Sequence, residues 1–441
     1  MNATTRAPGI ALAQSLMACA RCVRDVMAGR SLTESLAQTP GGLRPSAQAL
    51  SFYVLRHLGL AQTLQEILVK KPPHPALANS LLLSALALLE GSLGEAADQV
   101  PAYQPYTIVN QTVTAVGKRY PHLKGLVNAS LRRYIRERES LRQQALEKPL
   151  AQWNYPLWWI TKIQQAYPSQ WQAILQAGNA PAPLILRVNR RRTSVQQVQE
   201  RLAAMDVPSV HLDREALWLP RARPVQQLPG FHEGLWSVQD LNAQRAVHQL
   251  RLRAGMWVLD ACAAPGGKTA QLLEQADMEV LALDASAHRL KRVEDNLKRL
   301  GLWTPRVTLQ CADARVPAAW WDGQAFDVVL ADVPCSASGI VRRHPDIRWL
   351  RRPQDIAPLV AIQREILDAL WRTVRCGGVL LFVTCSVFPE EGESQAQAFL
   401  ARHPDAQRES APGQVLPLAE QSLGKPSGDG FFYALFTKTT A

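Results

Sequence analysis

The chain lacks an apolar run with the length and purity of a membrane span. It also lacks a basic-then-apolar leader with a processing site, since Gln14 and Arg21 interrupt an N-terminal stretch that reads as a helix. Its seven cysteines (Cys19, Cys22, Cys262, Cys311, Cys335, Cys376 and Cys385) are odd in number and scattered over 441 residues. That pattern excludes a secreted disulfide scaffold and points to reduced thiols. A soluble, cytoplasmic protein with no membrane partner is expected. Acidic residues are also scarce, 37 Asp/Glu against 49 Lys/Arg, for a net charge of +12. The deficit is concentrated in residues 1–150, with 17 basic against 9 acidic side chains; the remainder carries 32 against 28. A polyanion such as nucleic acid is the simplest partner for that surface. The plainer reading is a basic soluble domain.

At 48.8 kDa the chain can bury two or three cores. Residues 9–29, 44–70, 77–92, 106–119 and 123–139 place apolar side chains at helical spacing, predicting an all-helical domain over 1–145. Arg132, Arg133, Arg136 and Arg138 close the last of these helices, either as dipole-complementing charge or as phosphate contacts. Pro149, Pro156 and Pro168 then punctuate a Trp-rich linker or docking helix. Short strands at Leu184–Val188 and Ala216–Leu219, with a helix at 194–204, indicate a small α/β subdomain within 146–235. From 236 to 441 strands alternate with helices: Met256–Asp260, Glu279–Leu283, Val307–Gln310, Asp327–Ala331 and Val379–Thr384, separated by helices at 268–275, 286–300 and 358–374. Such alternation predicts a mostly parallel sheet covered on both faces, with ligands beyond the carboxyl ends of its strands.

The first of those strands runs into Ala261-Cys-Ala-Ala-Pro-Gly-Gly-Lys-Thr269. Gly266 and Gly267 permit a tight turn and close approach to a ligand. A phosphate loop would need glycine where Cys262 stands, and the dinucleotide fingerprint is missing too. A nucleoside without phosphate therefore fits better than ATP or NAD. Asp284 ends the next strand, where a carboxylate can hold ribose hydroxyls, and Asp313 follows the third, within reach of an adenine amine. Singly, each acid reads as a helix cap or surface charge. Recurring after successive strands, Asp260, Asp284, Asp313 and Asp332 form an acidic rim suited to a cationic cofactor, and S-adenosylmethionine meets that description.

Cys335, in Asp332-Val-Pro-Cys-Ser, and Cys385, in Thr384-Cys-Ser, each follow a strand on the cofactor side. A lone cysteine there would read as core filler. Two beside a methyl donor fit a cytosine C5 reaction, in which thiolate attack at C6 makes C5 nucleophilic. Asp332 can address the pyrimidine edge, and Lys268, Arg342 and Arg343 can favour a thiolate. Residue chemistry alone leaves the nucleophile open between Cys335 and Cys385 and does not identify the proton-removing base. Cys19-Ala-Arg-Cys22 has metal-like spacing but no second ligand pair, so no metal is expected.

Taken together, Val238-Gln-Asp240, Leu259 through Thr269, Asp332 through Gly339, Thr384-Cys-Ser386 and Asp429-Gly-Phe-Phe-Tyr-Ala434 resemble, in order, the motifs of the Sun-type RNA cytosine-C5 methyltransferases. Arg342-Arg-His-Pro-Asp-Ile-Arg-Trp349 points to the bacterial 16S ribosomal RNA subgroup. The resemblance spans essentially the whole chain. It implies a NusB-like helical RNA-binding domain (1–145), a linker helix with an RNA-recognition-like subdomain (146–235) and a Rossmann-like methyltransferase domain (236–441). It implies S-adenosylmethionine held by Cys262, Ala263, Ala264, Pro265, Gly266, Gly267 and Lys268, with Asp284 on ribose, Asp313 by adenine and Asp332 facing cofactor and base. Cys385 would be the attacking thiolate and Cys335 would assist release. The implied partner is 16S ribosomal RNA, free or in early assembly, with no DNA and a monomeric enzyme. Two departures stand out: Glu390-Glu-Gly392 where the family has Glu-Glu-Asn, and Cys311-Ala-Asp-Ala-Arg315 without the usual glycine. The competing expectations are a transfer-RNA or broader RNA cytosine methyltransferase, and an RNA-binding assembly factor with an idle site.

Overall fold

Apolar side chains recurring every three or four residues make α1 (Leu12–Met27) a core helix, with Leu16, Cys19, Val23 and Val26 all buried. The computed structural model describes residues 11–94, 103–221, 223–418 and 424–439, so positions 9 and 10 of the expected helix lie outside the described residues. Ser31 caps α2 (Leu32–Ala37) by accepting the Glu34 N–H at 3.2 Å. The single helix expected over 44–70 is two, α3 (Arg44–Arg56) and α4 (Leu58–Leu68), because His57 leaves helical geometry at φ −116° and ψ 14°. Likewise Glu137 separates α7 (Lys124–Arg136) from α8 (Arg138–Leu146), after α5 (Ala76–Leu93) and α6 (Pro105–Arg119). α5 is long and apolar enough to cross a membrane by length and composition, contrary to expectation. It is instead a core helix, 72% buried and packed against α1, α3, α4, α6 and α7. The arginine cluster closing α7 is partly neutralised: Arg133 and Arg136 pair with Glu137, and Arg138 with the buried Glu90.

The Trp-rich stretch forms α9 (Pro149–Trp153), α10 (Leu157–Ala166) and α11 (Trp171–Asn179), with Trp153 edge-on to Trp171 at 4.8 Å. These helices belong with α1–α8 in a first compact unit, Met1–Pro181, which also takes in the distant segment Val341–Pro353. Carrying α16 (Ile347–Leu350), that segment is tied in by named bonds. Asp346 accepts the Leu32 N–H at 2.9 Å, Arg56 donates to the Arg342 carbonyl at 2.6 Å, and the Trp349 indole donates to the Leu55 carbonyl at 2.8 Å. Arg348 is fully buried, donating to the carbonyls of Asn154 (3.2 Å) and Gly178 (2.6 Å) and to the Asn179 side chain. Its guanidinium lies 3.9 Å over the Tyr155 ring. Arg342 and Arg343, expected beside the thiols as local charge, belong to this first unit.

The second unit, Ala182–Ile340 with Gln354–Ala441, contains two sheets. The smaller is antiparallel in the order β2-β3-β1-β4: β1 (Leu184–Val188), β2 (Val210–Asp213), β3 (Ala216–Leu219) and β4 (Trp236–Val238), with α12 (Val195–Ala203) between β1 and β2. The larger runs β10-β11-β9-β8-β5-β6-β7. Its β5 (Trp257–Ala261), β6 (Glu279–Asp284), β7 (Val307–Cys311), β8 (Phe326–Asp332) and β9 (Val374–Thr384) are parallel. β11 (Phe431–Lys438) returns antiparallel between β9 and β10 (Ala406–Val415). Alternate strand residues serve the two faces. Leu259, Ala261, Val329 and Phe382 pack under α17 (Ile356–Trp371) and α18 (Glu393–Arg402). Val258, Val280, Leu330 and Val383 pack under α13 (Leu241–His248), α14 (Gly267–Gln275) and α15 (Ala287–Leu300). Strand order reverses at β5, and at such a reversal a crevice opens beyond the strand ends.

Candidate active site

From the end of β5 the chain turns through Cys262 (φ +63°) and Gly266 (φ +93°) into α14. A Cβ at Gly266 would lie 2.9 Å from Val293 Cγ1 and 3.1 Å from its Cα, so conformation and packing both demand glycine. Gly267 is less constrained, since a Cβ there meets only Gln239, at 3.6 Å. The Ala263 N–H donates to the Leu283 carbonyl at 2.7 Å and the Ala264 N–H reaches Asp284 Oδ2 at 3.3 Å, binding the loop to the end of β6. Ala264–Pro265 is cis. Burial, reinforced by Asp332, Asp284 and Asp260, pushes the Cys262 thiol up to about 12. It shapes the loop as a neutral group.

The four expected acids behave differently from one another. Asp260 is fully buried beneath Thr269, whose hydroxyl donates to it at 2.6 Å, so it is a floor rather than a rim. Burial, with Asp332 and Asp284 nearby, raises its carboxyl to about 7, and its Oδ1 is buried with no partner among the described residues. Asp284 accepts the Ser286 N–H at 2.9 Å and pairs with Arg289 at 2.7 Å. Asp313 is partly exposed and gripped by Arg315, whose guanidinium holds its carboxyl below the usual range. Asp332 pairs with Lys268 at 2.6 Å. Burial opposes the Lys268 charge, but Asp332 outweighs it and raises the amine, with Cys385 and Asp260 adding to the attraction. Acidic side chains thus stand at the ends of β5, β6 and β8, two of them already paired with Arg289 and Lys268.

Cys335 follows β8 and Cys385 follows β9, neighbouring parallel strands, and their sulfurs lie 3.4 Å apart. The Gly339 N–H donates to the Cys385 carbonyl at 2.9 Å, and the Gly430 N–H to the Gly339 carbonyl at 2.9 Å. A Cβ at Gly339 would strike the Gly430 carbonyl. The hydrogen bond with Cys385 raises the Cys335 thiol well above its usual range, and burial and the charges of Cys385 and Glu391 add to this. Of the remaining cysteines, Cys19 and Cys22 are buried in the helical core, near Ser84 and Thr39, while Cys311 and Cys376 are exposed.

Several residues to which sequence reasoning gave no individual role support this site. Arg187 of β1 is fully buried; it forks onto Glu274 (3.0 and 2.8 Å) and donates to the Gly267 carbonyl at 2.7 Å and to Gln239. Asp240 caps α13 and accepts the Asp429 N–H at 2.9 Å, joining two of the recognised motifs. Gln363 of α17 donates to the Pro334 carbonyl at 3.0 Å. An arginine inside an otherwise apolar strand, in Leu184-Ile-Leu-Arg-Val188, was the available signal for the first of these.

The family model described as "16S rRNA methyltransferase RsmB/F" matches residues 247–437, and the ferredoxin-like domain of RsmF/B-like methyltransferases matches 155–226. Ribosomal RNA small subunit methyltransferase B of Vibrio cholerae is 41% identical, over 93% of this chain and 94% of its own. The protein of that name from Citrobacter koseri is 44% identical over 76% and 78%. Among solved structures, PH0851 shares the fold at TM-score 0.75 and 23% identity, covering 98% of this chain and 100% of its own. A methyltransferase homolog protein from Pyrococcus horikoshii aligns at TM-score 0.56 and 27% identity, covering 66% and 97%. The helical N-terminal region, small sheet and Rossmann-like domain are those expected from the sequence. S-adenosylmethionine is the cofactor and methyl transfer the activity. Similarity of this extent, on this fold and around these strand ends, makes the chain a member of the RsmB/F family of 16S rRNA methyltransferases.

Proposed function

We propose that this enzyme methylates C5 of a cytosine in 16S ribosomal RNA, with cytosine 967 the expected target, and that Cys385 attacks while Cys335 assists release. The observation that carries this reading is the pair of sulfurs 3.4 Å apart at the ends of adjacent parallel strands, beside the Lys268–Asp332 ion pair. When bound, the cofactor supplies an electrophilic methyl group on a sulfonium. The loop Cys262–Lys268 and Asp284 would hold it, with Asp313 toward adenine once Arg315 yields. The Cys385 sulfur bonds to C6 of the ring and the C5 electron pair takes the methyl group. Loss of the C5 proton then restores the C5–C6 double bond as the S–C6 bond breaks. Asp332, fixed by Lys268, faces the pyrimidine edge.

The helical segment 1–145 is proposed as the NusB-like RNA-binding element and 146–235 as the RNA-recognition-like one, on a monomer acting in the cytoplasm on free or early-assembly 16S RNA. The basic excess of the first third supports this. The target base must leave any stack for C6 to be reached. Protein-free 16S RNA incubated with enzyme and cofactor should gain one 5-methylcytosine, mapped by bisulfite sequencing at position 967. Cys385→Ser should abolish turnover; Cys335→Ser should accumulate a covalent protein–RNA adduct. Methylation confined to transfer RNA, or methylation indifferent to Cys385→Ser, would overturn the proposal.

A further inference from the structure

Glu391 is fully buried on the short 3-10 turn Pro389–Glu391 beyond β9. One carboxylate oxygen accepts the Ser336 N–H at 2.7 Å and the Gln363 amide at 3.1 Å. The other accepts the Ser386 hydroxyl at 2.6 Å and the Ser336 hydroxyl. Ser336 and Ser386 immediately follow the two thiols, on loops that are 50 residues apart in sequence. Their hydroxyls stand 3.3 Å from each other, and Ser338 joins them through Ser386 at 2.9 Å while accepting the Val387 N–H at 2.9 Å. The backbone is therefore gripped on both sides of Cys335, at the Pro334 carbonyl through Gln363 and at the Ser336 amide through Glu391. The Thr384 hydroxyl closes the ring by donating to the Glu391 carbonyl at 3.1 Å.

The choice of a carboxylate is informative. An ionised side chain is costly to bury, and all four of these donors are neutral. In return it offers acceptors only, so every neighbouring hydroxyl and amide must turn toward it, and bonds to a charged acceptor are shorter and stronger than neutral ones. A neutral amide in its place would present donors as well and would let the serines settle in other rotamers.

We propose that Glu391 is a positioning residue, clamping the two thiol loops through Ser336 and Ser386 and so setting the separation of Cys335 and Cys385. The catalytic consequence rests on the division of labour proposed above; the clamp itself concerns only thiol spacing.

The test uses the full-length chain with Glu391→Gln and two readouts. The first is the rate at which phenylarsine oxide, a reagent that bridges two neighbouring thiols, captures the pair, taken as the part of the reaction removed by Cys335→Ser. The clamp predicts at least a tenfold slowing, with the dissociation constant for S-adenosylmethionine unchanged within twofold. The second is turnover on 16S RNA: kcat should fall about 100-fold, as for a misplacement on the order of 1 Å, with KM unchanged and partial recovery in Glu391→Asp. Arsenical capture at the wild-type rate would overturn the proposal. So would a loss of activity that merely tracks loss of folding or cofactor binding. Should Glu391→Gln be recovered unfolded, Ser386→Ala removes one donor of the clamp and must itself slow capture, about threefold. A wild-type enzyme that methylates no RNA would sink the functional reading, yet the arsenical rates would still decide the clamp.

Discussion

Asp260 is the side chain whose behaviour differs most from its appearance in the sequence. A strand-terminal acid reads as a surface carboxylate, but here it is fully enclosed and held by Thr269, and burial raises it to about 7. Its folded value lies above the unfolded one, so between the two the folded protein binds the extra proton. The associated stability is present at low pH and is lost as pH rises from about 4 through about 7. Asp260→Asn removes that dependence while leaving an acceptor for Thr269. Thermal unfolding of the cofactor-free enzyme should show the variant gaining on the wild type between pH 5 and pH 8, by about 2–3 kcal/mol; a difference that does not change with pH would refute the assignment. The acid's place was legible from the end of an apolar run. Its burial was not, because nothing in Ala261 through Lys268 reveals that Thr269 folds back over it. Asp313 teaches the same lesson from the other side: its position was legible, while its capture by Arg315 depends on a rotamer that spacing does not specify.

At the scale of elements, hydrophobic period located α1 and α3–α7 of the first unit but not the short α2 and α16 or most of α8, and it missed breaks where backbone geometry changes without a proline or glycine to announce it. His57 and Glu137 are such places. The segment Val341–Pro353 was recognised by its residues but not by its packing, because a short polar run carries no periodic signal of the distant helices that receive it. Arg348 gives that packing an energetic handle. Its planar fork spans the carbonyls of Asn154 and Gly178 while stacking on Tyr155, and a lysine ammonium is a point charge that cannot do all three. Arg348→Lys should therefore lose on the order of 2–4 kcal/mol in chemical denaturation, the cost of stranding buried acceptors. Trypsin should also cut between residues 342 and 352 markedly faster than in the wild type. Wild-type cleavage kinetics in the lysine variant would mean the segment is held by its other contacts.

For the molecule as a whole, alternation of strands and helices predicted the parallel sheet, but strand order and the return of β11 between β9 and β10 depend on pairings such as Val258 with Val328 and Phe432 with Thr384, far apart in sequence, which local patterns do not encode. The same holds for the link between the two sheets of the second unit. Arg187, on a strand of the small sheet, reaches the carbonyl of Gly267 at the first turn of α14 and is neutralised by Glu274 on that helix. The small sheet thus braces the proposed cofactor loop. Arg187→Met leaves Glu274 as an uncompensated buried charge and should cost about 3–5 kcal/mol. Pairing it with Glu274→Met removes that charge and should recover most of the stability. The Gly267 carbonyl still lacks its donor in the double variant, so affinity for S-adenosylmethionine, measured by calorimetry, should remain about tenfold or more below wild type. If affinity returned together with stability, Arg187 would matter only as the partner of Glu274, and the coupling between the small sheet and the cofactor loop would be incidental to binding.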